Sequence, residues 1–388
     1  MVLFAIGWAF VFINRTALYP LLPIVRTQFN LTNAQAGLIT SSYYLFYVLL
    51  QIPAGVAGDR FGHKRILVVT YALSGLGVLA FGLLGTSYVG LLATTVLYGG
   101  AAGGFHPMAF SLTMRSVPQR ERGLATAFIN SGSAVGLVVG LSMAGPLFLM
   151  MGNWHLVFIG LAVPTLLLSL LFALNVRPSL PEKGETHPQV ALLRNRNLVF
   201  IYMASFCSLY AFATAVVWGP TYFQTERGLG LAVSGAFTAI VALGGIPAGL
   251  YFSRLSDRWG RKPFAIALMP LAGLALAGVA LVHGLGFNIL LMLVYGATGK
   301  LAWEPIAVAW TGDHVNMSNP RSIGAALALF GTIGMTSSVI APVVGGWIRD
   351  QTGSLVGAFI LAGALLAIGG LLMTGPRETV APVSRSRA

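Results

Sequence analysis

Four ionisable side chains stand where their neighbours offer no water: Arg15, His106, Lys300 and Glu304 each lie inside a long apolar run. A charge at the centre of a bilayer costs about 2.5–3.5 kcal/mol on insertion scales, so a chain that keeps one there has a use for it. Arg15 precedes the boundary residue Arg26 by eleven positions, which at the helical rise sets it about 16 Å deep, beyond complete snorkelling. His106 and Glu304 each precede a charged residue, Arg115 and Asp313, by nine positions and lie about 13 Å deep. With His106 neutral the four groups sum to +1, and with His106 protonated to +2, a balance that attracts an anion. A guanidinium can grip a carboxylate through two parallel hydrogen bonds, while Glu304 and His106 can take up and release protons. Blander roles stay open: Lys300 and Glu304, four apart on one helix face, can neutralise each other, and a neutral His106 can be satisfied by a backbone carbonyl. Tyr19, Tyr43, Tyr47, Tyr210, Trp218 and Trp303 are aromatic candidates for lining the same space. No His, Asp or Glu grouping has metal-ligand spacing and no Gly-rich phosphate loop is present, so no metal, no cofactor and no enzymatic activity are expected.

The elements that hold these groups are membrane helices. With 56% apolar residues, 9% charged residues and a mean hydropathy of +0.81, the chain has too little polar surface for a soluble domain. Apolar runs near 2–25, 34–57, 66–85, 89–113, 123–148, 154–175, 198–222, 231–253, 263–283, 287–311, 322–347 and 354–375 are each long enough to span. An all-α membrane protein of twelve transmembrane helices is expected. The stretch Asp59-Arg60-Phe61-Gly62-His63-Lys64-Arg65 returns as Asp257-Arg258-Trp259-Gly260-Arg261-Lys262, an offset of 198 residues, about half the length of 388. Ile52-Pro53-Ala54-Gly55 returns as Ile246-Pro247-Ala248-Gly249, and His106-Pro107 as Glu304-Pro305. Two similar halves follow, 1–175 and 198–375, joined by a linker over 176–197 that carries Pro178, Pro181, Pro188, Glu182 and Glu185. The pairs His106-Pro107 and Glu304-Pro305 should occupy equivalent places in the two repeats.

Lys and Arg set the orientation. Eighteen fall on one side, including Lys64, Arg65, Arg122, Arg194, Arg254 and Lys262, against Arg26, Arg227 and Arg349 on the other. Both termini and the linker are therefore expected in the cytoplasm, with residues 376–388 a cytoplasmic tail. After Thr374 its Pro376, Pro382 and alternating Ser and Arg read as disordered. The net charge of +13 reflects this topology and implies no nucleic-acid partner, because the bases are scattered over short loops. One cysteine, Cys207, excludes an internal disulfide, and the first apolar run lacks the basic start of a cleavable signal. Gly132, Gly136 and Gly140, at four-residue spacing, read as a helix-packing face.

The loop pattern, with Gly55 four residues before Asp59 and then Arg60, Gly62 and a basic cluster, resembles the signature of the major facilitator superfamily. The resemblance covers the whole chain. Ser253 stands where the second copy would carry glycine, and His63 replaces an arginine. It implies a latch between the halves, with Gly55, Asp59, Arg60, Gly62, Asp257, Arg258, Gly260 and Arg261 as gating candidates; the bland reading makes them topology anchors. It also implies that spans one, four, seven and ten line a central cavity. Asn14-Arg15 followed by Tyr19-Pro20, and Pro118 with Glu121-Arg122-Gly123 and Ser131-Gly132, look like the branch of organic-anion/proton symporters. Ala102 stands where that branch often carries a glutamate, and Leu141, Leu149 and Met150 where drug antiporters carry glycines. Residues and resemblance together suggest a monomeric secondary active transporter of the bacterial or archaeal cytoplasmic membrane. It would couple a small organic anion, a carboxylate, to protons by alternating access. The substrate would meet Arg15, Lys300, Glu304, His106, Asn14, Tyr19 and Trp303, with Glu304 and His106 coupling protons. A proton-driven exporter of drugs or metabolites with the same fold is the alternative.

Overall fold

A backbone in lipid must satisfy its own N–H and C=O groups, and for each apolar run the helix is the local solution. The computed structural model describes residues 1–118, 121–178, 189–316 and 322–380, and among them there is no strand. The first half holds α1 (Val2–Thr16), α2 (Leu18–Gln28), α3 (Asn33–Phe61), α4 (His63–Leu84), α5 (Tyr88–Ala102), α6 (Phe105–Ser116), α7 (Arg122–Met151) and α8 (Trp154–Asn175). The second holds α9 (Arg196–Thr225), α10 (Leu231–Trp259), α11 (Arg261–Leu281), α12 (Leu285–Thr298), α13 (Lys300–Asn316), α14 (Ile323–Thr352) and α15 (Val356–Leu372). Taking α1–α2, α5–α6 and α12–α13 as one segment each, eleven described segments are long and apolar enough to cross a membrane, and α15 is a shorter twelfth. The chain is an all-α membrane protein.

The three divided spans are the ones that hold Arg15, His106, Lys300 and Glu304. Each was expected to run unbroken, and each carries a proline within the first two turns beyond its interruption. Pro20 has no N–H for the Thr16 carbonyl and the helix is interrupted at Ala17. Pro107 likewise leaves the Gly103 carbonyl without its donor, and α5 ends at the Gly103-Gly104 pair. In the second half the interruption is Gly299, whose N–H closes α12 on the Tyr295 carbonyl while its own carbonyl accepts from Trp303 and opens α13.

Loop ends are set by ordinary capping. Thr32 and Gln35 form a reciprocal capping box at the start of α3, and Ser87 and Asn153 cap α5 and α8. The two loop-motif copies fall at helix junctions, Gly62 between α3 and α4 and Gly260 between α10 and α11. Their φ angles, 93° and 99°, belong to the region that glycine enters without a Cβ penalty. Gly132, Gly136 and Gly140 make the packing face expected of them, because α7 lies backbone to backbone on α1. A Cβ at these positions would come within 2.1 Å of the Ala5 carbonyl oxygen, 2.2 Å of the Ala9 carbonyl oxygen and 2.1 Å of Thr16 Oγ1.

The chain separates into two compact units, Met1–Glu185 with Gly219–Ala239, and Thr186–Trp218 with Ile240–Ala388. In the first unit the ends of α9 and α10 lie against α2 and α7, where Gln224 Nε2 donates to the Pro20 carbonyl at 3.0 Å and to Ser234 Oγ at 2.9 Å. Of the linker, a short 3-10 helix, Gln189–Arg194, precedes α9; Pro181, Glu182, Lys183, Glu185 and Pro188 lie outside the described residues. Arg120, Arg321, Pro382, Arg385 and Arg387 do too. The segment after Thr374 corrects the sequence reading. Residues 375–380 are fastened to the second unit: the Arg377 N–H donates to Asn197 Oδ1, the Trp310 indole donates to the Arg377 carbonyl, and Glu378 takes backbone donors from the start of α11.

Candidate functional site

Arg15 occupies the last turn of α1, two residues before the interruption at Ala17, and only 6% of it is exposed. Its Nε has no acceptor and no acidic side chain pairs with it among the described residues. Rings surround it instead. The guanidinium carbon lies 4.0 Å from the Phe12 ring centroid, 5.1 Å from Tyr44 and 5.9 Å from Tyr43. Helix α3 supplies the tyrosines from one face: Tyr43 stacks on Tyr47 at 6.0 Å and meets Tyr44 edge-on at 5.7 Å. Tyr19, from the first turn of α2, shares a hydrogen bond with the Tyr44 hydroxyl at 3.2 Å. The Tyr43 hydroxyl is buried without a partner. Ring faces attract a cation by about 0.5–2 kcal/mol each and supply no anion, so the guanidinium is held in place with its hydrogen-bonding capacity unspent.

His106 is in the first turn of α6 and joins this cluster through two rings. Its imidazole lies 5.5 Å from Trp8 and stacks on Phe110 at 4.2 Å, and Trp8 meets Phe12 edge-on at 5.1 Å. Asn14 turns elsewhere. Its amide donates to Thr165 Oγ1 on α8 at 3.0 Å, and its carbonyl oxygen is buried without a partner.

The second unit holds the remaining candidates. Lys300 begins α13 and its ammonium hydrogen-bonds the Glu304 carboxylate one turn on, realising the mutual neutralisation that their spacing allowed. The pair is partly open, with side-chain exposures of 18% and 32%, and the ammonium also lies 5.2 Å from the Phe212 ring centroid. Trp303 is fully buried against Phe330 at 6.3 Å, with its indole N–H unmatched. Trp218 is a packing residue: its indole donates to the Pro342 carbonyl. Tyr210 is also buried, in α9.

The gating candidates sort by helix geometry. Asp59 contacts His63 at 3.2 Å and Asp257 contacts Arg261 at 3.1 Å, each one turn away, whereas the adjacent Arg60 and Arg258 point off that face. Arg60 lies over the Phe61 ring at 5.3 Å, Arg258 is exposed in the last turn of α10, and Gly55 faces open space. Arg261 also reaches the Asp313 carboxylate at the far end of α13. Two residues escaped the sequence reading. Tyr44 was marked only by its place beside Tyr43, one turn before Tyr47. Asp313 served there merely as a depth marker. Among the described residues no group of His, Cys, Asp and Glu could hold a metal ion.

A profile of the Major Facilitator Superfamily matches residues 4–319. The chain belongs to that superfamily. It is a transporter, not an enzyme. A hexuronate transporter of Bacillus subtilis is 25% identical over alignments covering 93% of this transporter and 90% of the relative. A "Probable galactarate/D-glucarate transporter" of the same organism is 26% identical, covering 92% and 87%. A "Probable sulfoacetate transporter" of Cupriavidus necator is 27% identical, covering 95% and 91%. Among solved structures, a bacterial homolog of the human lysosomal transporter Spinster, inward-facing and occupied, superposes with a TM-score of 0.80 at 17% identity, covering 96% of this transporter and 95% of that chain. This last likeness concerns the fold alone.

Proposed function

We propose that this transporter carries a small organic anion, a carboxylate, and that Arg15 is the residue that grips it. The supporting observation is the buried, unpaired guanidinium held among Phe12, Tyr43 and Tyr44. An uncompensated cation in a low-dielectric site is expensive, and a ligand carboxylate that takes two of its N–H donors supplies both the missing charge and the missing acceptors. The substrates in the relatives' names, hexuronate, galactarate or D-glucarate, and sulfoacetate, are all anions, which agrees with that sign.

Proton coupling is assigned to Glu304 and His106. A proton on Glu304 neutralises the partner of Lys300 and frees the ammonium to add to the positive charge that draws the substrate. Substrate and proton then move together as the two repeats, 1–175 and 198–375, alternate access to the two sides, with the Asp59 and Asp257 loops as latches. Binding of each must differ between the states for that coupling to exist. Tyr19, hydrogen-bonded to Tyr44, completes the proposed lining beside Arg15. The Lys and Arg distribution supports cytoplasmic termini in a cytoplasmic membrane, and nothing in the reading requires more than a monomer.

The test is uptake into proteoliposomes of D-glucuronate, D-glucarate and sulfoacetate, with an inward proton gradient and without. Arg15→Ala and Arg15→Lys should abolish uptake or raise the half-saturating concentration steeply. Uptake of a carboxylate that proceeds unchanged in both variants would remove Arg15 from the site.

A further inference from the structure

The second copy of the loop motif ends in a helix start that its own residues cannot finish. The N-cap of α11 is Gly260, which has no side chain with which to accept from the first-turn amides. The acceptor arrives from the other end of the chain. Glu378 Oε1 accepts from the Arg261 N–H at 3.0 Å and Oε2 from the Lys262 N–H at 2.8 Å, across a sequence separation of 117 and 116 residues. A Cβ at Gly260 would lie 2.7 Å from Glu378 Oε2, so the absence of a side chain is also what admits the carboxylate.

Further bonds hold the segment that presents Glu378. The Lys262 ammonium donates to the Thr374 carbonyl at 2.6 Å, and the Arg377 backbone is held on both sides, by Asn197 of α9 and Trp310 of α13. Thr379 Oγ1 donates at 2.8 Å to Asp313 Oδ2, the same oxygen that receives Arg261 Nε. Glu378 Oε1 also accepts the Thr379 and Val380 N–H groups, which curls the segment around its own carboxylate. A negative group at a helix N-terminus is favoured by the helix dipole as well as by the hydrogen bonds.

We propose that residues 374–380 are a built-in strap: Glu378 caps α11 from a distance and, with Thr379, fixes the Arg261–Asp313 contact, binding the ends of α9, α11, α13 and α15 into one block. Movement of the α10–α11 junction must then carry the strap with it or first release it. This inference concerns the second unit alone and does not depend on what the transporter carries.

Hydrogen–deuterium exchange of the full chain in lipid nanodiscs tests it, followed by mass spectrometry of peptides over 261–264, 374–380 and, as a control, 59–66. In Glu378→Gln, which keeps the shape and loses the charge and one acceptor, exchange at 261–264 should rise roughly fivefold, the factor a typical N-cap contributes. Exchange over 374–380 should rise with it, and 59–66 should stay as in the parent chain. Deletion of 376–388 should raise 261–264 at least as much and loosen 310–314. Should the deletion prevent folding, Glu378→Gln decides. Unchanged exchange at 261–264 in Glu378→Gln overturns the strap, as does an equal rise at 59–66, which would report general loosening.

Discussion

Replacing Arg15 by methionine should move stability and binding in opposite directions. The bare guanidinium carries an insertion penalty of about 3 kcal/mol. Its three ring contacts, at 4.0, 5.1 and 5.9 Å, each return about 0.5–1 kcal/mol, leaving a net cost on the order of 1 kcal/mol in the unliganded protein. Methionine fills similar volume without charge, so Arg15→Met should raise unliganded stability by about that 1 kcal/mol. The liganded state should lose two charge-assisted hydrogen bonds at about 1.5–3 kcal/mol each, which weakens binding roughly a hundredfold to ten-thousandfold. Arg15→Lys keeps the charge without the planar fork and should fall between. Thermal unfolding in detergent, with and without millimolar D-glucuronate or D-glucarate, reads both effects at once. The refuting result is a loss of about 3 kcal/mol or more in the unliganded methionine variant, the signature of breaking an existing buried pair. A ligand-induced shift that survives the substitution would refute the binding half of the argument.

Other consequences can be measured independently. Glu304→Gln leaves the Lys300 ammonium without its counter-charge, so uptake should persist in exchange mode while losing its response to an imposed proton gradient, read by comparing the two gradients in proteoliposomes. Gly136→Ala should cost about 1–3 kcal/mol, because its methyl would meet the Ala9 carbonyl 2.2 Å away, and the melting temperature should fall accordingly. For Glu378, burial pushes the carboxyl pKa up, but the N–H groups of Val380, Lys262, Arg261 and Thr379 outweigh it and hold the value below the ordinary 4.5. A depressed carboxylate contributes stability above its unfolded value and loses it as pH falls through the folded one. The difference in melting temperature between the parent and Glu378→Gln should therefore hold steady from neutral pH to about 4.5 and close below it.

The spans were readable because a run of some twenty apolar residues is a local property that lipid forces into one conformation. Their interruptions were not. Pro53, Pro146, Pro164, Pro247, Pro305 and Pro342 sit inside unbroken helices, so a proline alone does not announce a break; Pro107 acts together with the Gly103-Gly104 pair just before it. That Arg15 is buried without a partner was legible from its place inside an apolar run and from the lack of an acid in its own span. Which way a neighbour points was harder, since in lipid both faces of a helix are apolar and hydropathy does not mark the inner one. Asn14 illustrates this, adjacent to Arg15 in sequence yet bonded to Thr165 on α8. Tyr44 illustrates the converse, a residue passed over that forms part of the ring cage. Residues 375–380 misled for a different reason: the composition after Thr374 reads as disordered, and the partner that orders Glu378 lies more than a hundred residues away.

The glycine stripe on α7 has a mechanical meaning. Ala5 and Ala9 of α1 meet Gly132 and Gly136 backbone to backbone, and Thr16 Oγ1 meets Gly140, so little side-chain material lies between the two helices to flex or re-pack. Such a seam transmits tilt undiminished, so a bilayer whose thickness leans α7 over leans α1 by the same angle and lifts or lowers the guanidinium at its end. The height of Arg15 is thereby tied to three absent side chains on a neighbouring helix.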